Sequence, residues 1–195
     1  MSLNNKTNKT KLPTKTKKLN LQIESLHVSY TDTLLQNIKN NQDITNIENV
    51  SNIYSKPPKI TIQNAKSKLY LITMTDPDAP NGIQKTMNKS TQNHTYTHWV
   101  YLQDMRKQTN TNTLPSTQII VPYVPPTPPK GIHRYQYKLY DITNLPQTIL
   151  DTLKQKQNIN MNSILDRNTY YRNNLKKILK YKINTMFQYK VNSNK

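Results

Sequence analysis

The apolar run Leu69-Tyr70-Leu71-Ile72-Thr73-Met74 reads as a buried strand. It leads directly into Asp76-Pro77-Asp78-Ala79-Pro80-Asn81-Gly82. Two prolines and a turn-forming Asn-Gly pair forbid any continuation of regular structure there. A chain built this way must place carboxylates at the end of a core strand, where they face a cleft. The rest of the fold has to accommodate that junction.

Other segments show the same strand signature. Leu21, Ile23, Leu26, Val28 and Tyr30 alternate with period two, as in a strand with one buried face. After the Pro57-Pro58 break, Ile60 and Ile62 read as a short strand, and residues 96–102, 119–121 and 134–142 as further ones. The stretch 34–50 is polar and indistinct. Residues 123–131 (YVPPTPPKG) hold four prolines and predict an extended, stiff, irregular segment. A short helix is expected over 150–156 and a longer one over 169–181, with Tyr171, Leu175, Ile178 and Leu179 on one face and Asn168 as its cap. A final strand is expected over 183–191. The pattern is mainly β.

With 195 residues the chain is long enough for one domain with a sizeable core. Residues 1–20 are rich in Lys, Asn and Thr with almost nothing apolar, which predicts a mobile basic tail; 21–191 form the expected single domain and 192–195 a short tail. The tail has no acid before Glu24, as in a mitochondrial presequence, but it contains no Arg and no apolar stripe. The absence of cysteine removes disulfide frameworks, thiolate nucleophiles and Cys-rich zinc sites. No apolar run approaches the roughly 20 residues that cross a bilayer, so a cytoplasmic protein is expected. The net charge of +18 suggests nucleic acid or an anionic membrane as partner. Frequent Lys, Asn, Ile and Thr beside only two glycines also fit the drift of an AT-rich genome.

Three segments set ionisable groups beside proline or aromatic residues: Asp76 to Pro80, His98-Trp99, and Pro128 to Tyr135. Taken singly, each has an ordinary explanation. Asp beside Pro forms turns, a strand histidine between aromatic and aliphatic neighbours is a core residue, and His133-Arg134 is a surface pair. Taken together, carboxylates near imidazoles raise the histidine pKa and favour imidazolium, whose two N–H groups can donate to phosphate oxygens. Trp99 and Tyr101 read as packing groups. His27 and His94 belong to no such cluster.

The DPDAP segment, the HW pair within a strand and P-P-K-G-I-H-R-Y, in that order and at those separations, resemble the three signatures of the phosphatidylethanolamine-binding protein family. The resemblance covers about residues 21–191. It implies a sandwich of antiparallel β-sheets with one or two C-terminal helices, and a small pocket for phosphate or a phospholipid headgroup. Carried over by position, Asp76, Asp78, His98, Pro129, His133 and Tyr135 are the expected ligand-binding set, with Pro77, Pro80, Trp99, Gly131 and Arg134 as its structural support. The family's members bind headgroups and regulate kinases, proteases or signalling partners without general catalysis, so no cofactor and no enzyme activity are expected. The spacing Pro-Lys-Gly-Ile-His-Arg is closer to the plant-type loop than to the animal type.

Rival readings remain. The lysines suggest weak, salt-sensitive binding to nucleic acid or peripheral contact with an anionic membrane. No helix-turn-helix, zinc or RNP-like signature supports sequence-specific reading. A hydrolase of the GxSxG type is excluded by the lack of that motif, whereas two histidines and two acids are competent metal ligands.

Overall fold

The computed structural model describes residues 24–30, 38–44, 54–83, 94–107, 119–154, 163–176 and 183–192. The strands are β1 (Ser25–Ser29), β2 (Gln42–Ile44), β3 (Lys59–Gln63), β4 (Leu69–Asp76), β5 (Tyr96–Asp104), β6 (Ile119–Val121), β7 (Ile132–Asp141) and β8 (Ile183–Asn192). Helix α1 spans Gln147–Lys154 and α2 spans Ile164–Tyr170, continuing as a π-turn over Tyr171–Leu175. β1 and β3 pair antiparallel as a two-stranded sheet. The other six strands form one sheet in the order β2-β8-β7-β4-β5-β6.

The large sheet is covered on both faces, which explains why β4 is nearly continuously apolar. Tyr70, Ile72 and Met74 of β4 join Leu26 and Val28 of β1, with Ile60 and Ile62 of β3 packed against them, in a core between the two sheets. Leu71 faces the other way, beside Val100, Leu102, Leu150, Leu153, Tyr170 and Leu175, under the helices. A mainly β sandwich with two short C-terminal helices results.

The inter-sheet core is built largely of tyrosine, of which the chain has 13 against a single Phe. Tyr30 is at its centre: its hydroxyl is hydrogen-bonded to that of Tyr137 at 2.7 Å and that of Tyr189 at 2.9 Å. Its ring meets Tyr54 edge to face at 4.9 Å between centroids, and Tyr54 stacks on Tyr189 at 6.0 Å. Buried hydroxyls need partners, and those of Tyr30, Tyr137 and Tyr189 supply one another.

Several expectations change. The stretch 34–50 contains β2, which pairs parallel with β8, so the large sheet is mixed rather than wholly antiparallel. α1 begins three residues earlier than expected because Pro146 presets a helical φ and its carbonyl accepts from Ile149 and Leu150. The longer helix starts at Ile164. Its cap is Ser163, whose hydroxyl accepts from the Asp166 N–H, and not Asn168, which lies inside the helix. The expected strand at Leu21 and Ile23, the terminal tails and positions 177–181 of the expected helix lie outside the described residues.

Tyr30→Phe removes the hydroxyl shared by two buried partners and is expected to cost about 1–3 kcal/mol in chemical denaturation. Tyr54 carries a buried hydroxyl with no hydrogen-bond partner, so Tyr54→Phe is expected to be neutral or stabilising in the same assay.

Candidate functional site

The β4–β7 ladder ends where Thr75 faces Gln136. Beyond it Pro77 has no N–H to offer, and aspartate side chains take over the cross-strand bonds. Asp78 Oδ2 accepts from the Arg134 backbone N–H at 2.9 Å. The same carboxylate takes the Arg134 guanidinium in a two-point bridge, Nε to Oδ2 at 2.9 Å and Nη2 to Oδ1 at 2.7 Å. Asp76 Oδ1 accepts from the Asp78 N–H at 2.8 Å, closing the turn, and Asp76 Oδ2 is 2.7 Å from His133 Nδ1. The same two aspartates therefore both shape the turn and bind His133 and Arg134.

The chain's two glycines lock this turn to the start of β7. Gly82 and Gly131 both have φ of +77°, and both belong to the loops that meet here. A Cβ on Gly82 would stand 2.9 Å from the Lys130 carbonyl oxygen and 3.0 Å from the Ile132 N and O, so the close approach requires glycine. The Ile83 N–H donates to Ile132 O at 2.7 Å beside it. Gly82, in the Asn-Gly turn of the sequence, is thus packed rather than exposed.

His98 enters through a β-bulge. Met74 pairs with Trp99 and Thr75 with Thr97, so His98 is the extra residue on β5. The bulge turns its ring toward the inter-sheet face, 5.1 Å from the Tyr135 ring and 4.7 Å from that of Tyr96. Two bonds fasten it to the Pro-rich segment: Nδ1–H donates to Val124 O, and the Val124 N–H donates to His98 O, each at 2.9 Å.

Asp76, Asp78, His98, His133 and Tyr135 are all buried, and electrostatic coupling of Asp76 to His98, His133 and Tyr135 marks them as one cluster. Pro129 is exposed, outside this hydrogen-bonded set, as is Pro80; Pro77 is half-buried. Trp99 packs on Tyr101 and Tyr123 in the core. Among the described residues no group of three or more His, Cys, Asp or Glu is placed to hold a metal ion.

The two histidines diverge. His133 is fully buried, and burial lowers its pKa, but the bond to Asp76, that carboxylate's charge and the Lys130 carbonyl on Nε2 at 3.0 Å outweigh burial and raise it. With acceptors on both ring nitrogens it is an imidazolium. His98 is dominated by burial, which pushes it down to about 4 against the help of Val124 and Asp76. The expectation that both rings are imidazolium therefore fails at His98, whose carboxylate neighbours do not overcome desolvation. At neutral pH His98 is uncharged, with Nδ1 protonated and Nε2 a bare acceptor.

One residue escaped sequence reasoning. Arg167 of α2 is 1% exposed, and its Nη1 donates to the carbonyls of Thr97 at 3.0 Å, His98 at 3.2 Å and Pro122 at 3.1 Å. Its guanidinium also lies 5.8 Å from the Tyr96 ring centroid. It thereby gathers the bulge and the segment that precedes the prolines. Nothing in the sequence distinguishes it from Arg172 in the same helical segment.

A family model described as Phosphatidylethanolamine-binding protein matches residues 35–192. The chain belongs to that family. Protein MOTHER of FT and TFL1 homolog 2 of Oryza sativa subsp. japonica is 32% identical over 85 residues, 44% of this chain, and the match spans 43% of that relative. The crystal structure of a phosphatidylethanolamine-binding protein from Plasmodium falciparum is similar with a TM-score of 0.49 and 17% identity, over 89% of each chain. No helix among the described residues is long and apolar enough to cross a membrane.

The histidines impose opposite pH slopes on stability. His98 is depressed from 6.5 to about 4, so the unfolded chain binds the extra proton between those values and stability falls as pH drops through them, by on the order of 3 kcal/mol. His133 is raised, so its contribution is present below 6.5 and is lost as pH rises through its folded value. Denaturation midpoints against pH should peak near 6.5 for this pair, and His98→Gln should flatten the acid limb alone.

Proposed function

We propose that this protein is a non-catalytic binder of a phosphate-bearing ligand, such as the headgroup of phosphatidylethanolamine, and that it regulates a protein partner such as a kinase or protease through the occupied site. Family membership supports the binding and regulatory class. The observation that carries the reading is a neutral His98 set beside a charge-balanced cluster, two carboxylates against the His133 imidazolium and the Arg134 guanidinium. A phosphate brought to this cluster unbalances it and draws in a proton, held by His98 or shared from a phosphate O–H to its Nε2. The Arg134 side chain is 37% exposed and offers a cation at the edge of the set.

The same geometry supports binding over hydrolysis. Every carboxylate oxygen of Asp76 and Asp78 already accepts a hydrogen bond from within the protein. His98, at about 4, is a weak base at neutral pH and a poor match for general-base work.

Calorimetric titration of phosphorylethanolamine at pH 5.5 and 7.5, in buffers of different ionisation enthalpy, tests this. Proton uptake is expected, with affinity rising up to about tenfold per pH unit as pH falls, and His98→Gln should abolish both. Binding that ignores pH and His98→Gln but collapses with added salt would instead assign the interaction to the lysine-rich surface.

A further inference from the structure

A cavity lies under the π-turn, on the face of the large sheet opposite the His98 cluster. Its polar lining is Thr73 and Thr75 of β4, Lys138 and Tyr140 of β7, and Tyr171. The ladder places Thr73 directly across from Lys138, and Leu71 across from Tyr140, so these residues share one face. Leu71 and Leu175 wall the space, which has room for roughly one water-sized species.

Two hydroxyls in this lining are anomalous. Thr75 and Tyr140 are 2% and 1% exposed, and neither Thr75 Oγ1 nor Tyr140 Oη has a hydrogen-bond partner. Thr73 lies near enough to the Tyr140 hydroxyl to temper the rise that burial gives its pKa, yet completes no hydrogen bond with it. Buried hydroxyls are seldom left unmade, and here two of them line the same cavity as an ammonium. The ammonium has three donors and no acceptor. Burial and the nearby Arg134 both work against its charge.

We propose that this cavity binds a single small inorganic anion of halide size, held by the Lys138 ammonium and the Thr75 and Tyr140 hydroxyls. A monatomic anion has no directional preference, so it can accept from these donors and offset the positive field of Lys138 and Arg134. Its place under the helices, on the face of the sheet away from Tyr135, separates this site from the His98 cluster. The π-turn over Tyr171–Leu175, a rare local geometry, supplies Tyr171 and Leu175 to the lining.

The test uses the full chain in two ways. Bromide-soaked crystals should give an anomalous peak in contact with Lys138 and Tyr140. Thermal unfolding in sodium chloride against sodium gluconate at equal ionic strength should show a saturable rise of about 2 to 4 °C in chloride. Both signals should vanish in Lys138→Met and in Tyr140→Phe. The second variant removes a hydroxyl that the protein leaves unpaired, so it should fold even if Lys138→Met does not. Water density without anomalous signal, or equal midpoints in the two salts, overturns the proposal.

Discussion

The bond between Asp76 and His133 is the contact on which the site end of the sheet depends. It joins the last residue of β4 to the second residue of β7, past the point where main-chain pairing stops. Prolines in the DPDAP turn remove the donors that would prolong the ladder, and carboxylates replace the missing carbonyl acceptors. Because Asp78 repeats this device with Arg134, two side-chain clasps tie the turn to β7, while the Gly82 N–H closes it on Asp78 O. The glycine at position 82 lets the two backbones close to contact, and no other residue type would fit.

That clasp consumes the groups that a sequence reading assigns to ligand chemistry. His133 gives both ring nitrogens to internal acceptors, and Asp78 gives both oxygens to Arg134. The ring that keeps one nitrogen without an internal partner is His98, which the bulge on β5 carries into the inter-sheet face and Arg167 secures by its carbonyl. The division of labour is between a charged, self-satisfied frame and one neutral ring. A cluster of matched charges tolerates burial, while a lone histidine in the same environment sheds its proton.

Much of the fold was legible because period-two alternation reports directly on a half-buried strand. β1, β4, β5, β6, β7 and β8 stand where alternation or apolar runs put them, within a few residues at their ends. β2 was not legible: three residues, Gln42 to Ile44, show a single buried side chain, and their strand character comes from pairing with β8 almost 150 positions away. Ser163 displaced Asn168 as the helix cap because the helix begins with Ile164 and Leu165, before any apolar stripe is recognisable. At the site, the motifs located Asp76, Asp78, His98, His133 and Tyr135, but nothing in sequence announces a bulge. The split between the histidines was equally hidden, since it turns on burial and on which acceptor each nitrogen meets. Arg167 was invisible for the same reason: its partners are backbone carbonyls of distant segments, which leave no mark on composition.

The most direct measurement is the nitrogen-15 spectrum of the histidine side chains at neutral pH. His133 should show two protonated ring nitrogens, and His98 one protonated nitrogen with the other bare, titrating only toward pH 4. Two rings with the same protonation state at neutral pH, whether both charged or both neutral, would contradict the division between charged frame and neutral ring.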